Sequence, residues 1–408
     1  MARSPLTLAA TVTAALPSAS VVGVAPLTEH DAGRFDSAVA DLADGRRVVV
    51  RIAADDDAAQ ELTAQARALA ALTSGVRSLL PFRAPELLGQ TVVDSRPAVV
   101  TDHLAGYRVD AAHVPAGRGA AVSLGAAIAA IHALPESVAR TAGLPALSPE
   151  QARGEVSRLL DRVTTSHHGI PVSLLSRWSR ALAEDRLWRF ESTLSLGGVS
   201  ADAFLIEDRD GVPTVTGLLP WHGLREGDPA ADLRWLSSAP DAAGDIYAAY
   251  LAASARTPDE SLRIRARLYA ELEFASWLLH GHDEGREDVI ADAVALLASL
   301  ADTVLDDDLL AEDGMDVDDA IALLGRMPDA AAPSVDTSLH TDAFDADDSS
   351  FFTDTDLRGS AAPEPAVDPD RTAPLDVSDW VGPAGDADAV GEADRASEAA
   401  LRRWAASE

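Results

Sequence analysis

Leu194-Ser195-Leu196-Gly197-Gly198-Val199-Ser200-Ala201-Asp202-Ala203-Phe204-Leu205-Ile206-Glu207 opens the stretch that decides the fold. Val215-Thr216-Gly217-Leu218-Leu219-Pro220-Trp221 and Gly227-Asp228-Pro229-Ala230-Ala231-Asp232-Leu233 complete it. Ala203 to Glu207 and Val215 to Leu219 are apolar runs of strand length. They are joined by Asp208-Arg209-Asp210-Gly211, a turn composition. This hairpin interrupts a region that otherwise reads as helix. Val122 to Leu134 sets Leu124, Ile128, Ile131 and Leu134 at helical spacing. Helices are also predicted over Glu150 to Thr164, Leu174 to Leu187, Asp241 to Ala255, Pro258 to Leu279 and Glu287 to Leu305.

Upstream the pattern changes. After an N-terminal helix come β-type runs at Val21-Val22-Gly23-Val24 and Phe35 to Leu42. Asp44-Gly45 reads as a hairpin turn, with Arg47 to Ile52 as the returning strand. A helix follows from about Asp57 to Thr73, then strands near Glu86 to Val93 and Ala98 to Asp102. A strand-rich first hundred residues and a helical remainder with one small hairpin predict an α+β, two-lobed body. The predicted boundaries are 1–104, 105–305 and a tail at 306–408.

Composition narrows the chemistry. All 33 basic side chains are Arg; the chain has no Lys and no Cys. Disulfides, thiol nucleophiles, Cys-ligated zinc, Schiff-base lysines and phosphate-loop lysines are therefore excluded. A formal charge of −33 argues against nucleic acid as a partner, since such surfaces are basic. No apolar run reaches the roughly 18 residues of a membrane span. Arg3 and the apolar stretch after it faintly resemble a secretion signal. Its threonines break the pattern, so a cytoplasmic protein is expected. The charge divides unevenly: Asp306 to Glu408 holds 27 acidic and 6 basic residues, a net of −21. Pro, Asp, Ala and Ser dominate that tail, which predicts disorder. A short helix at Val317 to Leu324 and a terminal one at Ala393 to Ala406 are its only regular elements.

The two-lobed outline and the motif at 194–233 resemble the aminoglycoside phosphotransferase family, macrolide kinases included, which has a protein-kinase-like fold. Arg46 to Ala53 looks like the third strand of the N-lobe. Gln65-Ala66-Arg67-Ala68-Leu69 looks like the helix that normally reads Glu-Ala-x-x-Leu. Val99 to Gly106 looks like the hinge, and Ile128 to Pro135 like the helix ending Leu-His-x-Leu-Pro. The resemblance implies nucleotide contacts from Arg51, Gln65, Asp102 and Leu104. It also implies a catalytic loop of the form H-G-D-x-x-x-x-N, then a hairpin ending I-D-W, then G-D-P-x-x-D-L. Gly227 to Leu233 keeps the last motif. The reactive positions are vacant: Gly198 stands for the catalytic Asp, Ala203 for the metal-binding Asn, Pro220 for the metal-binding Asp, and Arg51 for the N-lobe Lys. Gly198 cannot position a hydroxyl proton, and Ala203 and Pro220 offer Mg²⁺ no oxygen.

The first expectation is thus a pseudokinase, a binding or regulatory module whose cleft takes ATP, if any cofactor, without Mg. The second is an active, divergent small-molecule kinase using relocated acids, with Asp202 and Asp228 the candidates. Against Asp228 and Asp232 stands a structural role, holding the loop and a helix start. The third is an interaction protein working through the tail, whose Phe351, Phe352, Trp380 and Trp404 islands would dock a partner. His222 follows Trp221 and can face the cleft. His167, His168, His280 and His282 show no convergent partners, so no metal site is assigned. Trp178, Trp188, Trp221, Trp235 and Trp277 are expected in the core or between lobes.

Overall fold

The structure is a computed structural model, and the residues it describes are 3–27 and 33–311. The predicted tail helices and the islands at Phe351, Phe352, Trp380 and Trp404 lie outside the described residues.

Helix α1 (Pro5–Ala15) begins at Ser4, whose hydroxyl accepts the Thr7 N–H. Strands β1 (Val21–Pro26), β2 (Phe35–Leu42) and β3 (Arg47–Ala53) follow, then helices α2 (Asp56–Ala71) and α3 (Ser74–Arg77), then β4 (Leu87–Val93) and β5 (Arg96–Asp102). The strands form one sheet in the order β1-β2-β3-β5-β4, antiparallel throughout. Strand alternation sorts β3 into two faces. Val48, Val50 and Ile52 are fully buried in a cluster with Leu8 and Val12 of α1. Burying those two α1 side chains contributes about 1.5–3 kcal/mol each. Val49 and Arg51 take the other parity and line a cleft with Leu62 of α2.

The second part carries α4 (Ala120–His132), α5 (Ser137–Ala142), α6 (Pro149–Thr165), α7 (Val172–Ala183), β6 (Thr193–Ser195), β7 (Phe204–Arg209), β8 (Val212–Leu218) and β9 (Arg225–Gly227). A 3₁₀ helix over Pro229–Ser238 leads to α8 (Ala243–Ala253), α9 (Leu262–Asp283) and α10 (Glu287–Thr303). Strands β7 and β8 form the predicted hairpin. Its Asp210-Gly211 turn has positive φ at both residues, 52° and 78°, which suits the twist of a tight hairpin. Helix α4 is the central post of this part. An ideal Cβ on Gly125 would sit 2.3 Å from the Ile246 carbonyl oxygen, so only glycine lets α4 and α8 approach this closely.

Three expectations need correction. The ordered body does not stop at Leu305: Leu309 is buried, and Asp307 accepts from Arg177 at 2.8 Å. Trp277 is 45% exposed instead of core, with its ring stacked on His280. His168 and His282 do converge, at 2.9 Å between ring nitrogens. Among the described residues no helix is long and apolar enough to cross a membrane.

Candidate functional site

The cleft lies between the sheet and the β7–β8 hairpin. The segment after β5 joins them, because Tyr107 pairs with Ile206 through backbone bonds of 2.9 Å in both directions. The Tyr107 hydroxyl is pushed up to about 12, first by burial and then by the Asp208 carboxylate it contacts. The inner hollow has a volume of about 300 Å³, and its wall includes Val49, Arg51, Asp102, His103, Leu104 and Arg108. Burial and then Arg47 hold His103 below the usual imidazole range. Asp102 is fastened from behind, accepting from Arg83 at 2.6 Å and from the Glu86 N–H at 2.5 Å. An adjoining hollow of about 230 Å³ continues past Arg51 and Arg108 to Asp202, Ala203, Pro220 and His222.

The loop at Leu196–Gly198 is held by a buried carboxylate. Asp232 is fully buried and accepts the Leu196 N–H at 2.7 Å and the Gly198 N–H at 2.8 Å. His132 Nε2 lies 3.2 Å from the same carboxylate, and its Nδ1 is 2.9 Å from the Tyr250 hydroxyl. Burial pushes the Tyr250 hydroxyl far up. Asp228 anchors the next turn: it accepts the Ala230 N–H, the Nε and Nη2 of the buried Arg265 and the Tyr269 hydroxyl. Arg265 also binds Asp259 and lies over the Phe190 ring, 4.5 Å from its centroid. Burial alone would lower its pKa; the Asp259 and Asp228 carboxylates raise it instead.

The positions expected to be reactive are another matter. Gly198 has φ +112°, a conformation that side-chain-bearing residues rarely adopt. An ideal Cβ there would meet the Arg234 guanidinium at 2.2 Å. A cation therefore fills the volume into which an acid at position 198 would project. Ala203 and Pro220 border the outer hollow with no ligand atom. The nearest carboxylates are Glu61 and Asp202. Glu61 is engaged by Arg34 at 2.8 Å and by His222 at 3.5 Å, and Asp202 takes the Ser200 hydroxyl. Among the described residues no three His, Asp or Glu side chains are grouped to hold a metal. These residues do not fit the pair of hard oxygen ligands that a phosphate-bridging Mg²⁺ requires.

The structure brings together Arg51, Gln65, Asp102 and Leu104 around the inner hollow and Asp202, Ala203 and Pro220 around the outer one. It does not bring Asp228 there. That carboxylate is 4% exposed and committed to Arg265, so it is no relocated acid for this cleft. Gln65 shares the hollow with Arg51 and also braces the end of the hairpin. Its amide donates to the Leu219 carbonyl at 3.1 Å and accepts the Trp221 N–H at 2.6 Å, bracketing Pro220. Reading the sequence missed Arg108, Glu61 and Arg234. No local signal marks them, since each reaches the site from an element placed there only by the fold.

The sequence pattern of the Phosphotransferase enzyme family matches residues 27–270. No curated protein matches the chain. Among solved structures, the macrolide 2'-phosphotransferase MphH from Brachybacterium faecium, as apoenzyme, is 26% identical. The match covers 71% of this chain and 97% of that one, with a TM-score of 0.58. A macrolide 2'-phosphotransferase type I is 25% identical over 73% of this chain and 98% of its own, also at 0.58. The GDP complex of aminoglycoside 2'-phosphotransferase-IIIa shares the fold at 18% identity, covering 73% and 98%, with a TM-score of 0.60. With the matched pattern spanning more than half its length, the chain belongs to the phosphotransferase enzyme family and has its protein-kinase-like fold.

Proposed function

We propose that this chain is a pseudokinase of its family, a module that binds a small molecule or a nucleotide and does not transfer phosphate. The observation that carries this reading is Gly198, with its positive-φ backbone and the Arg234 guanidinium where an acid side chain would project. Phosphoryl transfer is catalysed mainly by positioning and charge neutralisation. Loss of an acid–base group alone costs about 10²–10⁴ in rate. Two metal positions without oxygen ligands remove further stabilisation of the transferring charge.

The cleft itself supports binding. Its inner hollow joins an apolar wall to Arg51 and Arg108, and guanidinium groups suit phosphate oxygens. The proposed cofactor is ATP or GTP held without Mg²⁺. A second reading, an active divergent kinase, draws support from Glu61 and Asp202, two carboxylates on the wall that also holds Arg51.

Calorimetric titration of the full chain with ATP and GTP, with and without Mg²⁺, tests the binding. Phosphate transfer is then measured over a panel of macrolides and aminoglycosides. The expected result is nucleotide binding unaffected by Mg²⁺, and no turnover above buffer. Mg²⁺-dependent turnover that disappears in Asp202→Ala, with the melting temperature unchanged, would overturn the proposal in favour of the second reading.

A further inference from the structure

We infer that a hollow beside the Gly197–Gly198 loop, on the side toward which a side chain at 198 would project, binds a small amphipathic anion, its carboxylate or phosphate gripped by Arg225 and Arg234. The inference rests on the reading of that loop as vacated and names what that side accepts. The hollow has a volume of about 190 Å³ and lies between α6, α9 and the 3₁₀ helix. Leu147, Val156, Leu159 and Leu272 give it an apolar wall.

Two guanidinium groups pack on adjacent residues of one loop. An ideal Cβ on Gly197 would lie 3.0 Å from Arg225 Nε, and one on Gly198 2.2 Å from an Arg234 terminal nitrogen. Arg234 is partly answered by Glu273 at 2.6 Å, an exposed carboxylate on the rim. Arg225 Nε is buried and has no hydrogen-bond partner among the described residues. It has company. Ser195 stands directly opposite Arg225 in the β6–β9 ladder, and Thr193 lies two residues along the same strand. Those positions share one face of the ribbon. Ser195 Oγ and Thr193 Oγ1 are also buried without partners among the described residues.

Buried polar atoms nearly always have a partner, so three in a row on one short ribbon ask for a missing one. The geometry ties the row to the hollow. An ideal Cβ on Gly227 would lie 3.6 Å from both Arg225 Nε and Ser195 Oγ, and 3.8 Å from the Leu147 side chain. Glu273 answers Arg234 but not Arg225, and the other two acids of the lining do not supply the counter-charge. Asp228 is taken by Arg265 and Tyr269, and Glu155 is exposed at the mouth. An acid group with a single ring fits the combination of basic floor and apolar wall.

The test is isothermal titration of the full chain with phenyl phosphate, phenylacetate and benzylammonium, which share a ring and differ in charge. At least one anion is expected to bind about tenfold or more tighter than benzylammonium, charge-assisted bonds to Arg being strong. The two anions show which acid group the site prefers. Arg225→Met and Arg234→Ala should each weaken the anion by a similar factor while melting cooperatively. If Arg225→Met fails to fold, the half-exposed Arg234 decides alone. Equal binding of anion and cation, no anion binding, or anion binding indifferent to Arg234→Ala would overturn the inference. The assay contains no nucleotide, so its failure is distinct from turnover, which would defeat the pseudokinase reading.

Discussion

The two sides of the Leu196–Asp232 region have been filled by different rules. On the inner side, Asp232, His132, Asp228 and Arg265 form buried networks in which carboxylates, guanidinium and imidazole have answering partners. On the cleft side, Gly198, Ala203 and Pro220 carry no acid, no amide and no carboxylate. The lesson is that loop geometry and loop chemistry are separable. Buried acids hold a backbone in place by accepting its N–H groups, and they do so whether or not the cleft residues can catalyse anything. A family fold consequently licenses the scaffold and leaves activity to the cleft residues.

The sharpest way to break this contrast is at Asp232. Asp232→Ala orphans one buried and one part-buried N–H group and takes the carboxylate from His132; denaturant unfolding should show a loss of about 3–5 kcal/mol. A loss below about 1 kcal/mol, the range of an exposed pair, would mean the inner side is not the scaffold. Gln65→Leu comes next. It removes both bonds that bracket Pro220, and a loss of about 2 kcal/mol is expected at about 1 kcal/mol per bond. Unchanged stability would show that Gln65 belongs to the cleft and not to the frame.

Gly198→Asp tests the cleft side. The left-handed backbone should cost about 1 kcal/mol, and the new carboxylate meets the Arg234 guanidinium. Phosphate transfer should stay at background even with Ala203→Asn and Pro220→Asp added. Recovered turnover in that triple variant would show that the loop backbone is still competent. The smallest effect concerns the segment after α10. Burial opposes ionisation of Asp307, but Arg177 and Arg267 outweigh it and hold its carboxyl below the usual range. A lowered folded pKa means stability that is complete above the unfolded value, about 3.9, and is lost as pH falls toward the folded one. The stability difference between the native chain and Asp307→Asn should therefore be flat from pH 6 to 8, below about 1 kcal/mol for so exposed a pair, and shrink below about pH 4. A difference that grows on acidification would refute the clasp.

Much of the frame could be read from residue order. Asp210-Gly211 announced its hairpin because only certain residues tolerate two successive positive φ angles. The long helices showed themselves by the spacing of their leucines and isoleucines. Strands β6 and β9 did not, since three residues carry no period. The 3₁₀ helix at Pro229–Ser238 was invisible for a similar reason: its buried face is set by contacts with α9, not by its own pattern. Leu309 looked like part of the acidic tail because Asp306-Asp307-Asp308 precedes it; burial against α7 and α9 overrode that local composition. Gln65 was placed beside Arg51 by analogy of position; its bonds to Leu219 and Trp221, more than 150 residues away in sequence, had no local signal.

Residue order by itself determined which chemistry is absent. A chain without Lys or Cys, with Gly198, Ala203 and Pro220 where the resemblance places ligand atoms, lacks those functional groups at those positions in any conformation. Only the tertiary structure decided what stands in their place. That Arg234 fills the space over Gly198, that Gln65 braces Pro220, and that the Nε of Arg225 is buried beside two unanswered hydroxyls are facts of distance. Atom types are written locally in the sequence, whereas occupancy of a volume is settled by segments that meet only after folding.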